Sequence, residues 1–386
     1  MEFDFTEEQM ILRDLCQKIA GDFPEEYWAG IEDDQRFPRE FWDAVTEQGL
    51  LGISLPEEYG GSGMGMLDLC VASEALGEAG CCEGSMIFVG GPVFGGCAVM
   101  SGGSEEQKQK YIPKLIGGEL WSGAFTEPDA GSNVSQIRLE ARREGDVYKI
   151  KGQKVFISNI ANADRITILA RTSPYDPNNR TAGVSLLVGD LPSDKIEARP
   201  FKKMGSKFMD TNAVFFDDYE VPAENLLGGE GGAWKALYGV LNPERFVIAA
   251  GCIGTGNYLI KKAVEYAGER SVWGKPIASH QGLQFPLAEA RIQLEVARLK
   301  VFEAAWLYDQ GRECGVQSAH AKYAASHAAL FAADRAIQTL GGAGYIAESG
   351  VERHYRNLRL NRIAPVTDEM TLNYIAQHDL GMPRSY

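Results

Sequence analysis

The hydrophobic periodicity of this sequence predicts an α+β multidomain chain with a helical domain over 1–119, an antiparallel β domain over 120–228 and a four-helix bundle over 229–386. Three observations carry that order. Apolar residues recur at helical spacing up to about residue 100. From about 120 they give way to short β-branched and aromatic runs separated by Gly, Pro, Asn and Asp. After the glycine-rich "GGEGG" at 228–232 the helical period returns and persists.

In order along the chain, "TEEQMILRDLCQKIAGDF" opens with Thr6 as N-cap and acids in the first turn, and Leu12, Leu15, Ile19 and Phe23 mark one face. "FPREFWDAVTEQGLLG" repeats the grammar, with Pro38 at a start and Gly52 at a stop. "LPEEYGGSGMG" (55–65) reads as a loop before a helix rich in small residues, and Ser104 caps "SEEQKQKYIPKLIGG". The runs "DVYKIKGQKVFISN", "RITILART", "GVSLLVGD", "KIEARPF" and "AVFFDDYEV" are strands. Beyond them, the stretches beginning at Pro243, Leu283 and Val316 and the last ~35 residues predict four or more long helices joined by short turns. Pro243 marks a helix start or kink, which places Glu244 in a first turn.

The formal charge of −15 argues against nucleic acid or an anionic membrane as partner. Seven cysteines without CxxC spacing fit a reducing compartment, and Cys81-Cys82 reads as two small packed residues. Five scattered histidines predict no metal site. The acidic start "MEFDFTEEQM" lacks a signal-peptide pattern, and no run of ~18 apolar residues is evident, so the expectation is a cytoplasmic protein without a membrane span.

Five stretches carry chemistry: "AFTEPDAGSN" (124–133), "GQKVFISN" (152–159), "ERSVWGKPIASHQ" (269–281), "QTLGGAGY" (338–345) and "NRIAPVTDEMTL" (361–372). Together they resemble the signatures of the acyl-CoA dehydrogenase family, and the likeness runs over essentially the whole chain. The resemblance implies an FAD-containing homotetramer that oxidises an acyl-CoA thioester to the trans-2-enoyl-CoA and passes electrons to an electron-transfer flavoprotein. It implies flavin contacts from Phe125, Thr126, Phe156 and Ser158, with Thr367 and Glu369 also at the FAD. Period-2 alternation puts Phe156 and Ser158 on one side of their strand, and Phe156 stands where many members carry tryptophan. Arg270, Trp273, Gln281, Gln338, Gly341 and Gly342 would serve the dinucleotide, several of them on a neighbouring subunit's FAD. Read alone, Arg270 is better explained as a surface ion pair with Glu269 or a helix-end cation. Ser132, Asn242, Arg245 and Val366 would line the substrate.

The reaction needs a carboxylate to take the α-proton. Most members keep that glutamate where this chain has Pro365. A subset, like the isovaleryl-CoA and long-chain enzymes, carries it on a C-terminal-domain helix, and the matching residue here is Glu244, with Glu369 as the rival. In the family the main-chain N–H at position 365 and a ribityl hydroxyl of FAD polarise the thioester oxygen. Proline has no N–H, so either Val366 takes over, or the site works with one donor, or the chemistry differs. A same-fold desulfinase, hydroxylase or carrier-protein thioester dehydrogenase is the alternative, and a non-catalytic flavoprotein scaffold is third. The small residues of "VGGPVFGGCAVM" (89–100) would leave room for a bulky acyl group or serve helix packing.

Overall fold

A computed structural model describes residues 4–384, so the first three residues of the acidic N-terminal stretch lie outside it. The leading layer is helical: α1 (Glu7–Gly21), α2 (Glu25–Asp34), α3 (Arg39–Glu47), α4 (Met66–Glu78), α5 (Cys82–Phe88), α6 (Ala98–Gly102) and α7 (Glu105–Ile116). Local chemistry sets the clearest boundaries. The Thr6 hydroxyl accepts the Gln9 N–H at 3.2 Å while the Gln9 side chain returns to the Thr6 N–H, and Ser104 with Gln107 does the same for α7. The expected stop at Gly52 comes early: α3 ends at Glu47, and Gly49, at φ 72°, turns the chain into a short 3₁₀ turn over Leu50–Gly52.

Between α5 and α6, Gly90–Cys97 winds more widely, with the Phe94 N–H reaching the Val89 carbonyl five residues back. Cys82–Gly102 is, by length and composition, apolar enough to cross a membrane, contrary to the expectation that no such run exists. It is 72% buried inside the protein, and core packing accounts for its apolarity.

The middle sheet holds β1 (Trp121–Ala124), β2 (Glu140–Glu144), β3 (Val147–Ser158), β4 (Arg165–Arg171), β5 (Val184–Asp190), β6 (Ile196–Pro200), β7 (Thr211–Pro222) and β8 (Leu226–Leu227). Its order is β6-β7-β3-β2-β4-β5-β8, with β1 added beside β4. The sheet is not purely antiparallel: β1 runs parallel to β4, and β2 meets β4 in parallel at Glu140 and Arg171. The β3–β7 register slips between Lys154 and Ile157, a bulge that matters below.

The C-terminal part has three long helices, α8 (Ala233–Glu269), α9 (Gln281–Asp309) and α10 (Gly315–Leu340). The hairpin of β9 (Ser271–Val272) and β10 (Lys275–Pro276) joins α8 to α9, and the short α11 (Gly342–Tyr345), α12 (Val351–Arg359) and α13 (Asp368–His378) follow. The expected fourth long helix is therefore two short ones, broken by the turn that carries Pro365. Small residues let α8 lie directly on α4: a Cβ added at Gly254 would stand 2.0 Å from the Glu74 carbonyl oxygen, and the Ser73 hydroxyl donates to the Val247 carbonyl at 3.1 Å.

Candidate active site

Glu244 projects from α8, but not from its first turn. The helix begins at Ala233, and Pro243 lies inside it. A proline there leaves the carbonyl four residues back without its helical donor, and that carbonyl, on Gly239, accepts the Tyr308 hydroxyl at 3.4 Å. Free N–H groups at a helix start therefore do not stabilise the Glu244 carboxylate. It is 7% exposed, and burial pushes its pKa up to about 8, with Arg245 opposing. Arg245 reaches the Asn242 side chain at 3.4 Å and lies over the Tyr374 ring of α13 at 5.7 Å. Burial also lowers the pKa of Arg245.

Tyr374 brings α13, and the segment before it, to this part of α8. Pro365 and Val366 are half-buried there, and the Val366 N–H has no hydrogen-bond partner among the described residues. Thr367 is occupied as an N-cap, its hydroxyl accepting the Met370 N–H at 3.2 Å. Glu369 sits exposed in the first turn of α13, whereas Glu244 is buried.

On the sheet, Phe125 and Thr126 follow β1 and are tied to β3. The Val155 N–H donates to the Thr126 carbonyl at 2.9 Å, and the buried Lys154 ammonium donates to the Phe125 carbonyl at 2.8 Å and to Glu127 at 2.9 Å. Glu127 also accepts the Arg138 and Leu139 N–H groups. The bulge then resets the alternation. Phe156 and Ser158 are exposed on the same side of buried Ile157, as the period predicted, but Phe156 reaches that side with φ at 61°. For a bulky residue this conformation costs about 1–3 kcal/mol, and it holds a 66% exposed ring out of the sheet beside Phe201. Ser132 is exposed in the turn beyond Ala130.

The remaining predicted residues lie at the far end of the bundle. Arg270 ends α8 and makes no ion pair among the described residues, so the pairing with Glu269 does not form. Trp273 and Gly274, both at positive φ, form the tight turn of the β9–β10 hairpin and leave the indole 89% exposed. Gln281 opens α9, Gln338 and Gly341 close α10 and Gly342 opens α11, all four exposed. Because α9 and α10 run antiparallel, these groups share one end. Along α8 the stretch from Glu244 to Arg270 spans about 39 Å.

The sequence reading did not single out Lys154 with Glu127, or Asp368 with Lys322, His327 and Arg362. A lysine inside an otherwise strand-like run was the one available signal for the first. The exposed rings, the Arg270 cation without an ion pair among the described residues and positive-φ Gly341 fit a dinucleotide with a flat apolar ring and an anionic pyrophosphate.

Comparison with known proteins identifies the family. The chain matches the acyl-CoA dehydrogenase N-terminal domain over 6–119, the middle domain over 122–219 and the C-terminal domain over 231–380. It is similar to an acyl-CoA dehydrogenase of Mycobacterium tuberculosis, 37% identical over 384 residues, with 99% of this chain and 98% of the relative covered. A glutaryl-coenzyme A dehydrogenase solved with glutaryl-CoA superposes with a TM-score of 0.94 at 31% identity, covering 100% of this chain and 98% of that one. An FAD complex of PigA superposes with a TM-score of 0.92 at 27% identity, with 99% of each covered. The helical, β and helical order, the full-length matches and the FAD-bound neighbour agree: the chain is an FAD-dependent oxidoreductase belonging to the acyl-CoA dehydrogenase family.

Proposed function

We propose that this protein dehydrogenates an apolar acyl-CoA thioester to the trans-2-enoyl-CoA, with Glu244 as base and an electron-transfer flavoprotein as acceptor. The observation that carries the proposal is Glu244 itself, a buried carboxylate on α8 whose pKa of about 8 suits proton abstraction near neutral pH. Bound FAD would take the β-hydride. Phe125, Thr126, Phe156 and Ser158 would hold its ring, and the chain's own groups do the rest. The Val366 N–H, without a partner among the described residues, donates to the thioester oxygen in place of the donor that Pro365 lacks. Glu244 takes the α-proton as the C–H electron pair moves toward that oxygen, and the double bond forms as the hydride leaves the β-carbon. Asn242 and Arg245 border the base, and Ser132 would contact the substrate.

An apolar acyl group follows from residues 84–104, which contain no Asp, Glu, Lys or Arg. Most glycines there serve packing: an added Cβ would meet Trp42 at Gly91, Leu115 at Gly95 and Leu55 at Gly96. Gly90 alone of these opens onto free space. The missing N–H at Pro365 is the observation favouring the second reading, altered chemistry or a carrier-protein thioester. Anaerobic titration with CoA and carrier-protein thioesters of varied length and branching separates the readings. We expect acyl-CoA to bleach the yellow flavin; a flavin left oxidised by every thioester overturns the proposal.

The same proposal includes a homotetramer of chains divided near 119 and 228. Support comes from the separation of Glu244 from Arg270, and from Phe285, Ile292, Val296, Leu299 and Trp306, an exposed apolar stripe at near-heptad spacing along α9. Arg270 then serves a neighbour's cofactor. Arg270→Ala should release FAD at least ~10-fold more readily on dilution, as loss of a charge-assisted phosphate contact predicts. Unchanged retention, or a stable monomer holding FAD fully, speaks against it. Acyl-CoA catabolism in the cytoplasm belongs to the same proposal, in keeping with seven buried cysteines that are all free.

A further inference from the structure

Asp368 opens α13 with a side chain only 8% exposed, and three groups converge on it. The Arg362 Nε donates to it at 2.6 Å, His327 Nε2 lies at 2.8 Å, and the almost fully buried Lys322 ammonium lies at 3.3 Å. The Arg362–Asp368 pair closes segment 363–367 into a loop with Pro365 and Val366 inside it. Lys322 and His327 fasten that loop to α10. The adjoining Asn361 amide donates to Cys252 Sγ at 3.1 Å, which ties the near side of the loop to α8, the helix of Glu244. Arg362 and Lys322 thus set two basic side chains against one carboxylate behind the loop. A donor is worth most when it is held beforehand where negative charge develops. Proton abstraction places that charge on the thioester oxygen.

We propose that Asp368, gripped by Arg362, His327 and Lys322, is a positioning residue that aims the Val366 N–H at the thioester oxygen. The inference rests on the thioester reading above. In many such loops a side-chain cluster serves only folding, so the test reads the carbonyl itself. Asp368→Asn and Arg362→Gln would be made in the full-length holoenzyme. The Arg362 side chain is 35% exposed, so its replacement disturbs the loop without opening a buried charge.

Infrared spectra of a bound thioester labelled with ¹³C at the carbonyl would be compared with single-turnover flavin reduction. In both variants we expect unchanged FAD content, acyl-CoA affinity within about threefold, and reduction slower by roughly 10- to 10²-fold. The carbonyl stretch should move toward its value in free thioester, because polarisation is lost. A slower rate with an unmoved stretch would make the cluster structural only, and an unchanged rate with an unmoved stretch would remove it from the mechanism. Should wild-type flavin resist every thioester that binds, the dehydrogenation reading fails, yet the stretch in wild type against variant still decides the role of Asp368. Absence of any thioester binding by wild type overturns both.

Discussion

Glu244→Gln is expected to fold, hold FAD and bind acyl-CoA, yet reduce the flavin at least ~10²-fold more slowly than wild type. The amide keeps the shape of the side chain and cannot accept the α-proton. Glu369→Gln is the matched comparison; that side chain is exposed on α13, and its loss should disturb the cofactor more than the proton transfer. Stopped-flow reduction of both variants decides the assignment, and wild-type bleaching by Glu244→Gln would end it. The pH dependence has a defined sign. The working form is the carboxylate, so kcat/KM should rise with pH through about 8. Stability moves the other way. A carboxyl whose pKa rises from 4.5 to about 8 on folding binds its proton more tightly in the folded state. Its destabilising effect is therefore absent below pH 4.5, grows as pH rises, and is complete above about 8. Denaturant titrations at pH 5 and pH 9 should show Glu244→Gln gaining on wild type at the higher pH.

Arg353→Ala should cost roughly 3–5 kcal/mol of stability, the usual consequence of removing one partner from a buried ion pair. Arg353 is 3% exposed on α12; its Nε donates to Glu83 of α5 at 2.8 Å and its Nη2 to Glu25 of α2 at 2.7 Å. Without it, among the described residues the Glu83 carboxylate keeps only the Asn357 amide at 2.9 Å, and its other oxygen already lacks a partner there. Removing both charges is a different experiment. Arg353→Met with Glu83→Gln should recover most of the loss, because the cost lies in the orphaned charge rather than in the missing attraction. A single variant that unfolds within about 0.5 kcal/mol of wild type in urea would show that water enters and solvates Glu83.

What the sequence revealed about the fold was local. Thr6 and Ser104 cap helices through residues three positions away, and the strands alternate within their own length. What it hid depends on distant partners. Pro243 has the look of a helix start because the Tyr308 hydroxyl that relieves the Gly239 carbonyl comes from another helix. Asp368 reads as an ordinary first-turn acid until Lys322 and His327 arrive from α10. The resemblance named Glu244, Phe156 and Arg270 as candidates, but the burial of Glu244, the left-handed backbone of Phe156 and the isolation of Arg270 are three-dimensional facts.

The length of α8 has a genetic consequence. Glu244 and Arg270 stand about 39 Å apart along one helix, so in the proposed tetramer each chain would supply the base of its own centre and the cation of a neighbour's. Two impaired alleles, Glu244→Gln and Arg270→Ala, should then complement each other when expressed in one cell. In a mixed oligomer, a centre whose base comes from the Arg270→Ala chain and whose cation comes from the Glu244→Gln chain has both native groups. Neither allele mixed with itself can assemble such a centre.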